Sequence, residues 1–473
     1  KMSHLDEVLP GQNEPPRDAL LEIYNEEGAV SAEFIARIEQ AIEEGDVDFL
    51  REQIAGRHES ETGDVIEALS FENRPELVRL LGEDFDLTAL TEVDEAIRLN
   101  IIESLPPEQF ATALTALDSD DAVYILEDLA DEEREEILSK LPFTERIRFA
   151  RSLDYPESSA GRRMQTEFVA VPPFWTVGQT IDYMREDEEL PDSFSQIFVV
   201  DPTFRLLGAV YLDQILRTKR QVKIEAIMHD TNHPIAAELD QEEAAQVFEQ
   251  YDLLSAAVVD SNDRLVGVLT IDDVVDVIHE EADEDIKRLG GVGDEELSDN
   301  IMRAVRSRFG WLLINMCTAF MSASVIGLFD ESIGQMIALA VLMPVVASMG
   351  GNAGTQTMTV TVRALATRDL DIYNAARIIR REAGVGLFNG LAFAILIALA
   401  AGYWFDNPQL GGVVAAAMII NMFAAAMAGI LIPLLLDRAG ADPAISSSVF
   451  VTTTTDVIGF FSFLGIATWW FNI

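Results

Sequence analysis

The stretch VFVTTTTDVIGFF, Val449 to Phe461, sets one carboxylate, Asp456, in the middle of an apolar run. Thirteen uncharged residues, Pro443–Thr455, precede it and seventeen, Val457–Ile473, follow it. A run of that length crosses the roughly 30 Å hydrocarbon core of a bilayer as one helix. An ionised side chain at the centre of such a helix costs about 2.5–3.5 kcal/mol on insertion scales, so it faces water, a partner or an ion. Two readings stay open: a carboxylate on a cation path, or an aspartate paired inside a helix bundle. Thr452, Thr453, Thr454 and Thr455 offer hydroxyls beside it.

Upstream, four more segments read as spans: Phe309–Phe329, Ser332–Val362, Ala383–Phe405 and Asn407–Leu436, with Pro443–Ile473 the fifth. No basic residue lies within any of the five, which disfavours a salt bridge to Asp456. Arg303, Arg306 and Arg308 precede the first span. Arg363, Arg368, Arg377, Arg380 and Arg381 lie between the second and third, and Arg438 between the fourth and fifth. The other two linkers hold only Asp330, Glu331 and Asp406. All basic residues thus fall on one side, which the positive-inside rule makes cytoplasmic. The expectation is a multi-pass protein of the cell membrane, N-terminal half inside and Ile473 outside. The second span carries Pro344 and then Gly350-Gly351-Asn352-Ala353-Gly354-Thr355-Gln356. Pro and clustered Gly predict an opened helix with freed carbonyls lining a cavity, against close helix approach as the competing reading. Carbonyl, amide and carboxylate oxygens suit Mg²⁺ or Ca²⁺, not Zn²⁺ or Cu⁺.

The remainder of the chain is soluble and acidic. Residues 301–473 hold nine acidic and nine basic groups, so the formal charge of −48 belongs wholly to residues 1–300. Such a surface repels nucleic acid and attracts cations. It also fits a solubility or salt adaptation. The single cysteine, Cys317, allows no internal disulfide, as expected for a reducing cytoplasm. Residues 1–20 read as a loose polar leader without a signal-peptide core. Residues 21–155 show short amphipathic helical runs, such as Phe34, Ile35, Ile38 and Ile42, which predict an all-α superhelix with solvated acidic faces. No catalytic motif appears, and the chain does not read as an enzyme.

Residues 164–285 contain a repeat. Ile197–Asp201 through Gly208–Val210 recurs 59 residues on as Ala256–Asp260 through Gly267–Leu269. Each unit reads strand, turn, strand, helix. This resembles a tandem pair of CBS domains, an α/β module. Thr270 and Asp273 match that family's nucleotide pattern, with ATP or another adenine nucleotide as the implied ligand and a helix N-cap as the alternative. The first unit has Tyr211 and Gln214 there instead. Residues 274–308 read as one long connecting helix interrupted at Gly290-Gly291. Glu281, Glu284 and Asp285 share a face, where like charges repel and either a divalent cation or solvent offsets them. His229 and His233 flank a turn before Pro234 and read as loop residues, not a zinc site.

The order of these parts resembles the MgtE family of magnesium channels and transporters. The motifs Gly350–Gln356, Arg363–Leu370, Asp442-Pro443-Ala444 and Thr455-Asp456-Val457 carry the resemblance. It implies a multidomain membrane protein with a five-helix transmembrane domain at 309–473. It implies a homodimer with its pore between subunits and Mg²⁺ held at Asp456, with Asn352 and Thr455 beside it. It implies regulation by internal Mg²⁺ at Asp273, Asp276, Glu281, Glu284, Asp285 and Asp442, acting on the connecting (plug) helix. Ser448 departs from the asparagine some members carry there. Two rival classes are an ion-coupled secondary transporter of another divalent cation and a membrane-anchored CBS sensor. The first needs a second intramembrane charge or an inverted repeat, and the second leaves five spans excessive for tethering.

Overall fold

A computed structural model describes residues 21–473 apart from 188, 189, 192, 231, 232, 294, 296–300, 369 and 371–373, and leaves the side chains of 445–447 undescribed. The leader expected at residues 1–20, and Asp369 of the 363–370 motif, lie outside the described residues. The chain divides into two compact units, one ending at Ile278 and one beginning at His279.

The first unit starts as short helices whose ends are written in the sequence. Ser31 caps Ala32–Glu44 by accepting from the Phe34 N–H, and Gly45 ends that helix in the left-handed region at φ 68°. Asp46 caps Val47–Ile54, and Pro107 opens Pro107–Leu114 at a position where its missing N–H is not needed. Phe34, Ile38, Leu50, Leu77, Ile101, Leu114, Ile125 and Phe149 share one core. The amphipathic runs therefore face inward as expected.

Two three-stranded sheets follow. In the first, β1 (Ala170–Val171) runs parallel to β2 (Gln196–Val200), which pairs antiparallel with β3 (Leu206–Tyr211). β4 (Ile235–Ala236), β5 (Ser255–Val259) and β6 (Leu265–Thr270) repeat that order. Val199 stands opposite Gly208 and Val258 opposite Gly267, so the repeat is one of register as well as residues. The sheets join through Gln196, whose Nε2 donates to the Ser255 carbonyl at 2.9 Å, and through Phe198, Ala257, Leu265 and Val268 in a common core.

The helix Ile271–Leu289 closes the second repeat and ends at Gly290, with Gly291 at φ 71°. It does not run on to residue 308. Residues 301–308 belong instead to the first span, Ile301–Gly327. The other spans are Ile337–Ala366, Ala375–Trp404, Pro408–Arg438 and Pro443–Phe471. Ser332 lies outside the second span, in a short helix Asp330–Gln335 cut off by the extended Met336. Each span is long and apolar enough to cross a bilayer. The fourth sits at the centre, packed against the second, third and fifth. Small residues permit that: a Cβ on Gly386 would stand 2.6 Å from the Ala426 Cβ, and one on Gly411 2.5 Å from the Ala398 carbonyl.

Candidate functional site

Asp442 caps the fifth span by accepting from the Ala444 N–H at 2.7 Å, and Pro443 follows at N1. Asp456 stands midway along that helix, half-buried. The four threonines before it divide by face. Thr453, Thr454 and Thr455 return their hydroxyl protons to the Val449, Phe450 and Thr452 carbonyls at 2.7–2.8 Å. Thr455 is wholly buried, and a Cβ on Gly354 of the second span would stand 3.5 Å from its Cγ2. Its hydroxyl donates to backbone, and the whole side chain is enclosed by the neighbouring spans. Thr452 is exposed, and its hydroxyl has no partner among the described residues. A helix turns 3.6 residues per revolution, so Ser448, Thr452 and Asp456 share a face. That face is closed above Asp456 by the buried Gly459, Phe463 and Ala467, and open at Thr452. Asp456 thus ends a polar helix face, with Ser448 and Thr452 before it and buried residues beyond it. The four-residue spacing was present in the sequence, but choosing Thr452 over Thr455 requires the helix's rotation.

The second span is helical throughout, including Pro344 and the glycine run. The expected opening is not there. Unbonded backbone in a membrane is too costly unless something replaces it, and the glycines serve close packing instead. A Cβ on Gly354 would stand 2.6 Å from Val451 Cγ1, and one on Gly429 2.6 Å from the Gly354 carbonyl. Gly350, Gly354, Thr357 and Thr361 form the buried stripe. Asn352 and Gln356 are exposed on the opposite side, away from the fourth and fifth spans.

The second candidate is a carboxylate cluster in the first unit. Asp120 and Asp121 stand in the first turn of the helix Ser119–Glu127, and Asp273 in the first turn of Ile271–Leu289. Burial raises Asp120 well above the carboxylate range, and Asp273, Asp121 and Asp118 add to it. Asp121 is pushed up to about 7 by burial, then by Asp273, Asp118, Glu59 and Asp86. Asp273 also reaches about 7, through burial first and then Asp272 and Asp276, with hydrogen bonds from Thr270 and Asp120 opposing. Burial raises Glu92, and Asp276 raises it further. The Asp120 Oδ1 is buried without a hydrogen-bond partner among the described residues. Not all acidic faces of the helical region are solvated, therefore. An oxygen-only donor set with surplus negative charge fits a hard divalent cation. Among the described residues no group of three or more His, Cys, Asp or Glu is placed to hold a metal ion. Asp120 and Asp121 were missed because their burial depends on a segment 150 residues distant; the run Asp118-Ser119-Asp120-Asp121 was the only local signal.

The third group surrounds the end of Ile271–Leu289. Arg288 bridges Glu284 and Asp442. The charge at Glu284 is therefore offset by an arginine. Asp285 is raised by burial, then by Asp442 and Glu281, while Arg363 draws it down.

Thr270, Asp272, Gln165, Phe168 and Phe198 line a cleft of about 320 Å³, a size within the range of small-molecule sites. Asp273 does not line it, since its carboxylate accepts from the Thr270 hydroxyl and faces Asp120. His229 and His233 stack on Tyr211 and Tyr251 at centroid distances of 4.5 and 3.4 Å.

Three family models match the chain. The MgtE divalent cation transporter model matches residues 343–466, the MgtE intracellular N domain residues 57–158, and the CBS domain residues 160–220 and 224–280. The magnesium transporter MgtE of Thermus thermophilus is 36% identical over 316 residues, which cover 66% of this chain and 70% of that protein. The magnesium transporter MgtE of Bacillus subtilis is 32% identical over 317 residues, 67% of this chain and 70% of that one. Among solved structures, the cytosolic domain of the Mg²⁺ channel MgtE in complex with ATP is 27% identical, with a TM-score of 0.48, covering 51% of this chain and 99% of that one.

Proposed function

Because this chain belongs to the MgtE family of divalent cation transporters, we propose that it carries Mg²⁺ into the cell and that Asp456 is the carboxylate on the ion's path. The observation that carries this reading is the polar face of the fifth span: the one carboxylate within the five apolar segments, with Thr452 and Ser448 before it on the same face and no basic residue in any of those segments. Mg²⁺ gives up water reluctantly and is held through one or two carboxylates with waters retained. In a homodimer, two symmetry-related Asp456 groups facing a shared axis supply that pair. Asn352 and Gln356, exposed on the outer side of the second span, would then meet the path from a neighbouring subunit. Flux of Mg²⁺ through the purified protein in liposomes tests the reading.

Orientation follows from the arginines. A cysteine introduced in the Asp406–Gln409 linker should react with an impermeant maleimide on intact cells, and one at Arg377 should not. The reverse pattern would invert the proposed topology.

Regulation is assigned to the two acidic groups. Mg²⁺ shifts a conformational equilibrium only through different affinities for the two states, and the crowded carboxylates at Asp120, Asp121, Asp273 and Asp276 provide such a difference. Protons should imitate the metal. Asp121 and Asp273 have docked-state values of about 7, above the ordinary carboxylate range. The docked state therefore takes up protons, and docking is favoured below that range and lost as pH rises through about 7. In Mg²⁺-free buffer, proteolysis of the 105–170 region should be slower at pH 6 than at pH 8. Millimolar Mg²⁺ at pH 8 should restore protection. Protection independent of both pH and Mg²⁺ would remove this cluster from the sensor. An adenine nucleotide in the Thr270 cleft is a further proposal, and it would meet Asp272 rather than Asp273.

A further inference from the structure

In the middle of the fourth span stands one amide, Asn421, fully buried where it meets the second and fifth spans. Its Nδ2 donates to the Val346 carbonyl at 2.8 Å. A Cβ on Gly350 would stand 2.1 Å from that nitrogen, and one on Gly459 2.8 Å from it. At both glycines the three nearest atoms all belong to Asn421. Two helices are thus shaped around one side chain of a third. The Asn421 Oδ1 has no hydrogen-bond partner among the described residues. Exchanging the amide's oxygen and nitrogen would not help, because the oxygen would then face the Val346 carbonyl. A buried acceptor left unpaired is unfavourable, and an apolar residue would relieve it. A local rule broken without compensating stability points to a functional position.

That position is adjacent to the ion path. Gly459 lies just under one turn beyond Asp456 and is buried, while Gly350 lies two residues before Asn352. We propose that Asn421 is a positioning residue that fixes the depth and rotation of the fifth span against the second, and so sets where Asp456 stands on the polar face. It touches neither the carboxylate nor the ion. Its donor grips a carbonyl of the second span, and its bulk sets how close both glycine faces come. This rests on the reading of Asp456 as the pore carboxylate.

The test uses the full chain in liposomes, with Asn421→Ala, Gly459→Ala, the double variant, and Asp456→Ala as a separate arm. Asn421→Ala should fold with a melting temperature at or above that of the parent. Its Mg²⁺ flux should fall about 10- to 100-fold, as for a displaced reacting group, and its preference for Mg²⁺ over Ca²⁺ should narrow. Gly459→Ala alone should lower the melting temperature by clashing with the amide. In the double variant the shortened side chain on the fourth span makes room for the new methyl, so thermal stability should return while flux and ion preference do not. Three results would overturn the proposal: an Asn421→Ala protein with parental flux and preference, one that no longer folds, or a double variant whose stability losses simply add. Parental flux in Asp456→Ala would instead remove the pore reading beneath it, whatever Asn421 does.

Discussion

Asp456→Ala should abolish Mg²⁺ flux and leave the protein folded, with a melting temperature unchanged or raised. The carboxylate is half-buried in a membrane helix, and none of the five apolar segments contains a basic residue to pair with it. An uncompensated charge there burdens folding, so its removal relieves the fold as it disables the path. Asp456→Asn keeps the shape and one acyl oxygen but not the charge. A neutral amide does little to hold a divalent ion against its own hydration, so this variant should also fail to conduct. A structural aspartate would give the opposite pattern: Ala strands a hydrogen-bond partner at about 1–3 kcal/mol, and Asn rescues both stability and flux. The threonines refine the test. Thr452→Val, exposed on the carboxylate's face, should reduce flux, whereas Thr455→Val should conduct, because the Thr455 side chain is wholly buried.

Neutralising Glu281, Glu284 and Asp285 together should leave flux open at internal Mg²⁺ concentrations that close the parent. Burial, Asp442 and Glu281 all press on Asp285, so a cation here gains more than it would at an exposed carboxylate. Arg288 bridges Glu284 and Asp442. Under the proposed regulation, Mg²⁺ would compete with that guanidinium. Arg288→Gln should consequently close at lower Mg²⁺ than the parent, since removing the competitor strengthens the local negative field. Closure of the triple variant at the parental Mg²⁺ concentration would take these residues out of regulation. An unchanged midpoint in Arg288→Gln would show that the arginine is only structural.

The spans were legible because hydropathy and charge placement survive without knowledge of neighbours. Each of the five apolar segments forms a helix long and apolar enough to cross a bilayer. The strand repeat was equally plain, since matched apolar runs with glycine opposite valine encode register directly. What escaped the sequence was set by contacts between distant segments. Pro344 and the glycine run read as a break, yet Asn421, Val451 and Gly429 press so closely on Gly350 and Gly354 that a continuous helix is the better solution. Asp120 and Asp121 read as solvated, yet docking against Asp273 buries them. The Arg288–Asp442 pair joins residues 154 apart and has no local signature.

The most direct measurement is Mg²⁺ entry into liposomes holding only the purified protein, followed with an internal Mg²⁺-sensitive dye, with Asp456→Asn liposomes alongside. The parent should admit Mg²⁺ down its gradient without nucleotide or an imposed ion gradient, and the Asp456→Asn liposomes should remain at the level of empty ones. Equal Mg²⁺ entry through both proteins, or none through either, would contradict the account.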